Sequence, residues 1–296
     1  MEHIPSQAEN FESNFDEQFK KREEIDLFGT KFEIVDIHPD IESTPVPILI
    51  APGWTEDMES FKEGMRMLVE KGRRVLSLEH PRYGNEMDAV DEDLKKLYPV
   101  DELRKALALL AVIDQKGLGP VDVIAHSEGG INTAIAATLE TEKFHRIVFA
   151  NSAGLLGPDN FPRLSTRFNT FTLNEIKNLI YSDDLKRQTG IQNMLGKITE
   201  YIAANFVRAT KESVAISEVQ IQDMIKYLHD EGVGITILNS EDDIVFPPEK
   251  VKEIVDAKHV DNYVTLPGGH GEIALNPREY MDVINQAFIQ GEIAKS

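Results

Sequence analysis

Ser127 stands where a run of apolar residues, Val121–Ala125 (VDVIA), gives way to a helical pattern carried by Ile131, Ala134, Ile135 and Leu139. A serine on so sharp a strand-to-helix turn is lifted above the sheet edge. Its backbone is strained, and small neighbours let strand and helix approach. Gly129, two positions after Ser127, meets that need, and Ala125, two before it, is the next smallest choice. The chemistry open to such a residue is nucleophilic attack. A hydroxyl is a weak nucleophile that needs a base beside it, and the helix N-terminus favours negative charge developing nearby. The plainer alternative is a turn whose serine only caps the helix. His270, in the loop Pro267-Gly268-Gly269-His270-Gly271-Glu272, could supply the base, because glycines leave such a loop free to bring the ring over the sheet edge. His126 adjoins the serine but is fixed on the turn, and packing is its expected role.

The segment Ala125–Gly130 (AHSEGG) resembles the G-x-S-x-G nucleophile elbow of the α/β-hydrolase superfamily, with Ala125 in place of the first glycine and acidic Glu128 after the serine. The resemblance runs over residues 30–290. It implies an acid and then a base after the serine in chain order. The turn Asn239–Pro247 (NSEDDIVFP) resembles the family's acid-bearing turn. Aligned on Pro247, the acid is Asp243, with Asp242 second and Glu241 third. His270 is then the base, and Asp243 orients it. The oxyanion donors implied are the main-chain N–H groups of Glu128 and Trp54. Trp54 lies in Ala51-Pro52-Gly53-Trp54-Thr55, which is similar to the family's His-Gly-X turn with Pro52 replacing the histidine. His80-Pro81-Arg82-Tyr83-Gly84 resembles a further family turn and is assigned no chemistry.

That constellation implies hydrolysis of a carboxylic ester through an acyl-enzyme, with no cofactor and no metal. Thioesterase, aminopeptidase-like and C–C bond hydrolase activities use the same three side chains. A non-catalytic ligand-binding protein on the same scaffold is the alternative from another class. A serine nucleophile speaks against the dehalogenase and epoxide-hydrolase branches, which resemble this fold but use aspartate.

The elements that must position these residues alternate. Apolar runs at Val46–Ala51, Arg74–Leu78, Val121–Ala125, Arg146–Ala150, Gly234–Leu238 and Asn262–Leu266 read as buried strands. Helical spacing separates them, as in Met58, Phe61, Met65 and Leu68, or in Leu103, Ala106, Leu107, Leu110 and Ile113. Glu24–Leu27 and Lys31–Ile37 flank Gly29 as a hairpin. Such alternation predicts an α/β fold with a mostly parallel central sheet and helices on both faces. Residues 155–228 break it with helical stretches alone and are expected to form an inserted cap. Residues 25–154 and 229–296 then form the core domain, and 1–24 a flexible arm or a solvated helix. Some of the cap's apolar side chains, Leu155, Leu156, Phe161, Phe168, Phe171, Leu173, Ile176 and Ile180, are candidates to line a pocket.

Composition sets the outer limits. A hydrophobic content of 41% allows a sizeable core. A formal net charge of −20 repels nucleic-acid phosphates and anionic lipid but says little about a small substrate, since local pocket charge can differ from the total. The small apolar acyl substrate expected here is what the resemblance and the apolar cap imply. The absence of cysteine excludes disulfides, a thiol nucleophile and thiolate metal sites. No apolar run reaches the roughly 18 residues that span a bilayer. With a polar N-terminus and no cysteine, a cytoplasmic location is the expectation.

Overall fold

Residues 7–81, 86–157 and 159–295 are described by the computed structural model. Eight strands form one sheet: β1 (Glu23–Leu27), β2 (Thr30–Ile37), β3 (Ile48–Ala51), β4 (Val75–Leu78), β5 (Val121–His126), β6 (Phe144–Ala150), β7 (Gly234–Ser240) and β8 (Asn262–Leu266). Their spatial order is β1-β2-β4-β3-β5-β6-β7-β8. β1 and β2 form an antiparallel hairpin, β2 runs antiparallel to β4, and every later pairing is parallel. Strands β3, β4, β5 and β7 are buried at every position. That is why they read as unbroken apolar runs rather than as alternating patterns.

Helices cover both faces. In chain order they are α1 (Gln7–Lys20), α2 (Lys62–Glu70), α3 (Glu92–Leu97), α4 (Val100–Gln115), α5 (Gly129–Leu139), α6 (Phe161–Tyr181), α7 (Leu185–Ala204), α8 (Phe206–Glu218), α9 (Gln222–Asp230), α10 (Pro248–Ile254), α11 (Glu272–Leu275) and α12 (Pro277–Lys295). One core layer unites Leu103, Leu109 and Ile113 of α4 with Ile131 and Ile135 of α5. The opposite layer unites Met65 and Leu68 of α2 with Tyr280, Ile284 and Phe288 of α12. The result is the α/β fold expected from the alternation, a mostly parallel sheet with helices on both faces.

Two expectations need correction. The arm was expected to be flexible or solvated, yet residues 7–20 form α1, and Phe15 and Phe19 are each 2% exposed within the second layer. Phe11, Phe15 and Phe19 recur at four-residue spacing, so their rings stack along one helical face, and that face docks on β2. Residues 1–6 of the expected arm lie outside the described residues. The second correction concerns the cap. Four helices, α6–α9, are inserted between β6 and β7. Helices α6, α7 and α8 pack on one another, but α9 packs against α5 and β7 and buries Ile225 and Leu228 in the first core layer. The segment 222–228 therefore returns to the flank of the sheet. Its amphipathic spacing is the same whether its apolar side meets a cap or a sheet, and so could not reveal this.

Candidate active site

β5 delivers its last residue, His126, at the carboxyl edge of the sheet, and α5 begins at Gly129. Ser127 between them has φ 52°, a left-handed conformation that side chains other than glycine rarely adopt. It is held there by its N–H donating to Ala150 O at 3.1 Å and by its carbonyl accepting from Gly130 N at 3.1 Å and Ala153 N at 2.9 Å. Gly129 is required by the close approach of β3. A Cβ there would stand 2.2 Å from Ala51 O and 2.8 Å from Pro52 O.

His270 sits in the loop between β8 and α11, where Gly268 takes φ 117°. Its Nε2 lies 3.1 Å from Ser127 Oγ, and its Nδ1 lies 2.8 Å from Asp243 Oδ2. Asp243, 2% exposed, follows β7. Its other oxygen accepts the N–H groups of Val245 at 2.8 Å and Phe246 at 3.0 Å, so both carboxylate oxygens are partnered without leaving the site. The structure thus brings together Ser127, His270 and Asp243. Asp242 and Glu241, the second and third candidates, are exposed on the same turn. The rings of Phe171, Phe246 and His126 surround the His270 imidazole at centroid distances of 5.7, 5.3 and 5.2 Å.

The turn after β3 closes on the serine from the other side. A Cβ at Gly53 would lie 2.8 Å from Ser127 Cβ, so only glycine allows this approach. Trp54 and Glu128, named from sequence as donors, flank that contact. Among the described residues neither of their main-chain N–H groups is hydrogen-bonded. Of the turn His80–Gly84, His80 Nε2 stands 3.4 Å from Pro52 O, while Arg82, Tyr83 and Gly84 lie outside the described residues.

A cavity of about 300 Å³ opens on Ser127 and His270. Its walls include Phe161, Phe168 and Phe171 of α6, Ile198 of α7 and Phe246. Leu155 is buried in the core instead, and Leu173, Ile176 and Ile180 face outward at 60, 40 and 66% exposure. Among the described residues no group of three His, Asp or Glu side chains is arranged to hold a metal ion, and no helix is long and apolar enough to cross a membrane.

Two polar arrangements escaped sequence reasoning. His126 packs edge-on against Phe61, as expected of a packing residue, but it also bonds. Its Nδ1 is 2.8 Å from Glu56 Oε2 and its Nε2 3.2 Å from the His270 carbonyl. While Glu56 is ionised both neighbours are acceptors, an arrangement that favours a ring donating from both nitrogens, an imidazolium. Burial opposes its charge, yet the Glu56 carboxylate and its hydrogen bond hold the His126 pKa above the ordinary histidine value. Burial likewise opposes the charge of Glu56, and the same partner together with the Gly53 N–H, at 2.7 Å, keeps its pKa below the usual range. The second arrangement lies behind the elbow. The Glu128 side chain turns away from the cavity and meets Lys105 Nζ at 2.6 Å, within a cluster that includes Glu102 of α4 and Glu212 of α8. Glu102 and Lys105 interrupt an otherwise apolar α4 face, and that interruption was the signal available in the sequence.

Residues 46–277 match the family described as the alpha/beta hydrolase fold. No curated protein matches the chain by sequence. Among solved structures, a thermophilic esterase from Thermogutta terrifontis is similar at 15% identity and TM-score 0.65, covering 91% of this chain and 98% of that one. A bromoperoxidase from Bacillus anthracis matches at 15% identity and TM-score 0.64, covering 90% and 99% of the two chains. An esterase from Exiguobacterium antarcticum matches at 16% identity and TM-score 0.64, covering 89% and 97%. Identities this low speak of shared fold, whereas the family match spans most of the sequence: this chain belongs to the alpha/beta hydrolase fold family.

Proposed function

We propose that this protein is a serine hydrolase that cleaves a carboxylic ester through an acyl-enzyme. The observation that carries the proposal is the unbroken contact chain from Ser127 Oγ to His270 Nε2 and from His270 Nδ1 to Asp243 Oδ2, at 3.1 and 2.8 Å. Ser127 attacks the acyl carbon while His270 takes its proton, and Asp243 stabilises the imidazolium that forms. The Trp54 and Glu128 N–H groups meet the oxyanion, and collapse of the tetrahedral intermediate expels the alcohol with the proton from His270. Water then repeats the sequence on the acyl-enzyme, with His270 again as base. The apolar walls of the cavity support an uncharged hydrocarbon acyl or alkyl group as the part of the substrate buried beside the serine.

The test is labelling with a fluorophosphonate, followed by peptide mapping, together with hydrolysis of activated esters of graded chain length. The expected result is a single adduct on Ser127 and ester turnover that Ser127→Ala removes. Folded protein that takes no label and turns over no ester would point to a ligand-binding protein on this scaffold.

A further inference from the structure

We propose that Lys105 and the cap residue Glu212 are positioning residues for the oxyanion-binding turn, so that helix α8 completes the catalytic face as well as covering it. The inference rests on the serine-hydrolase proposal above and concerns residues to which that proposal gives no role.

Trp54 is held by the cap. Its indole Nε1 donates to Glu212 Oε2 at 2.9 Å, and its ring packs edge-on against Phe168 of α6 and Tyr201 of α7, at centroid distances of 5.3 and 6.1 Å. The Tyr201 hydroxyl donates to the same Glu212 oxygen at 2.5 Å. The other Glu212 oxygen takes Arg208 Nε at 3.1 Å and faces Lys105 Nζ at 3.4 Å. Lys105 in turn holds Glu128 at 2.6 Å. The two residues whose N–H groups flank Ser127 therefore both end, through their side chains, on one buried lysine. Trp54 reaches it through one cap carboxylate, and Glu128 reaches it directly. Gly53 adjoins Trp54 and lies so close to Ser127 that a small tilt of the turn would alter the distance from the Trp54 N–H to the reacting carbonyl oxygen.

The charges balance only as a set. Lys105, Glu128 and Glu212 are at most 3% exposed. Glu102 is wholly buried, and burial together with the charge of Glu128 raises its pKa well above the usual carboxylate range. The carboxyl groups of Glu128 and Glu212 face the cations Lys105 and Arg208. Burial opposes the charge of Glu212, but Lys105, the Tyr201 and Trp54 donors and Arg208 bring its pKa down to about 2. Glu212 therefore accepts from the indole throughout the working pH range. Buried ion pairs of this kind are poor sources of stability and better suited to fixing one geometry. That suits a role in placement.

The experiment uses the full chain, an activated ester that the wild type hydrolyses, and three variants: Trp54→Phe, Glu212→Gln and the double. Trp54→Phe keeps an aromatic ring at this position and removes the donor together with part of the indole's packing, so its thermal melt is read beside its kinetics. Each single variant should lower kcat about tenfold with KM changed less than about twofold, a fraction of what removal of an oxyanion donor costs. The double should lose about the same tenfold and not a hundredfold, since Trp54→Phe breaks the indole–Glu212 link and Glu212→Gln the Glu212–Lys105 charge link of one path. Inhibition by a trifluoromethyl ketone, which forms a tetrahedral adduct, should weaken in step with kcat/KM. Unchanged kcat in folded single variants, multiplicative losses in the double, or losses that follow only the unfolded fraction in thermal melts would each overturn the proposal. If Glu212→Gln does not fold, Trp54→Phe decides alone. Ser127→Ala run alongside separates the two claims: full activity in that variant defeats the hydrolase proposal itself, whatever Glu212 does.

Discussion

At the scale of single residues, the site turns on which acid faces His270 and on what holds the elbow. Asp243 and Asp242 are adjacent in sequence, yet only Asp243 is buried against the imidazole. Asp243→Asn should lower kcat by about four orders of magnitude, because the amide favours the wrong tautomer, while Asp242→Asn should stay within about threefold of wild type. Steady-state kinetics of the two variants check this, and equal losses would dissolve the assignment. Ser127→Ala should cost about three orders of magnitude or more. Glu56 and His126 carry a pH dependence. The raised His126 pKa contributes stability that is complete below its unfolded value and fades as pH rises through the folded value. The lowered Glu56 pKa contributes stability that is present above its unfolded value and is lost as pH falls through the folded one. Glu56→Gln should therefore be most destabilising near about pH 6 and less so near about pH 9. Urea melts of both proteins at the two values give the answer, and a deficit that grows with pH would refute the imidazolium.

At the scale of elements, strand β3 and helix α5 can meet only through glycine. Gly129→Ala would set a methyl against two backbone carbonyls that cannot swing aside. It should cost about 2 kcal/mol of stability and shift Ser127 enough to lower kcat. A variant as stable and as active as wild type would mean that the approach is slacker than the distances say. Helix α1 belongs to the core layer in the same sense. Phe19 is buried, and Arg22 and Lys62 stand over its ring at 4.6 and 5.0 Å. Phe19→Ala should cost about 3 kcal/mol, read from chemical denaturation, with ester turnover at saturating substrate unchanged because α1 packs on β2, a strand that carries none of Ser127, Asp243 and His270. No loss of stability would return residues 7–20 to the role of a solvated arm.

At the scale of the whole molecule, the formal charge of −20 is a self-repulsion that the fold must overcome. Raising sodium chloride from about 10 to about 150 mM shortens the screening length from roughly 30 to roughly 8 Å. The melting temperature should rise by a few degrees over that range. A fall would show that surface ion pairs, not net repulsion, dominate the balance. The same charge argues that ester substrates with anionic groups near the cleavage point will be poor, which the chain-length panel can include. Cap and core are joined by charged links, such as Lys197 of α7 with Asp57 and Arg187 of α7 with Glu272, and by cap side chains such as Leu164, Phe171 and Ile216 that share the first core layer.

Local sequence was enough to indicate the parallel sheet and the sharp turn at Ser127, whereas the order of acid and base was what the family resemblance implied. Buried strands must be apolar, tight turns must carry small residues, and both constraints act over a few neighbouring positions. The stripe Phe11, Phe15 and Phe19 was equally local, but the polar composition around it concealed that one face had a partner. The structure buries Asp243, the first-ranked acid, against the imidazole and leaves Asp242 exposed, and it alone decided that α9 rests on the sheet and that Leu173, Ile176 and Ile180 look outward. It also decided that Glu56 would meet His126, 70 positions away, and Glu212 would meet Trp54, 158 positions away. Charged residues distant in the chain carry no periodicity that announces a partner. Their pairing is fixed only when the packing of apolar faces has removed them from water and left each other as the remaining source of compensation.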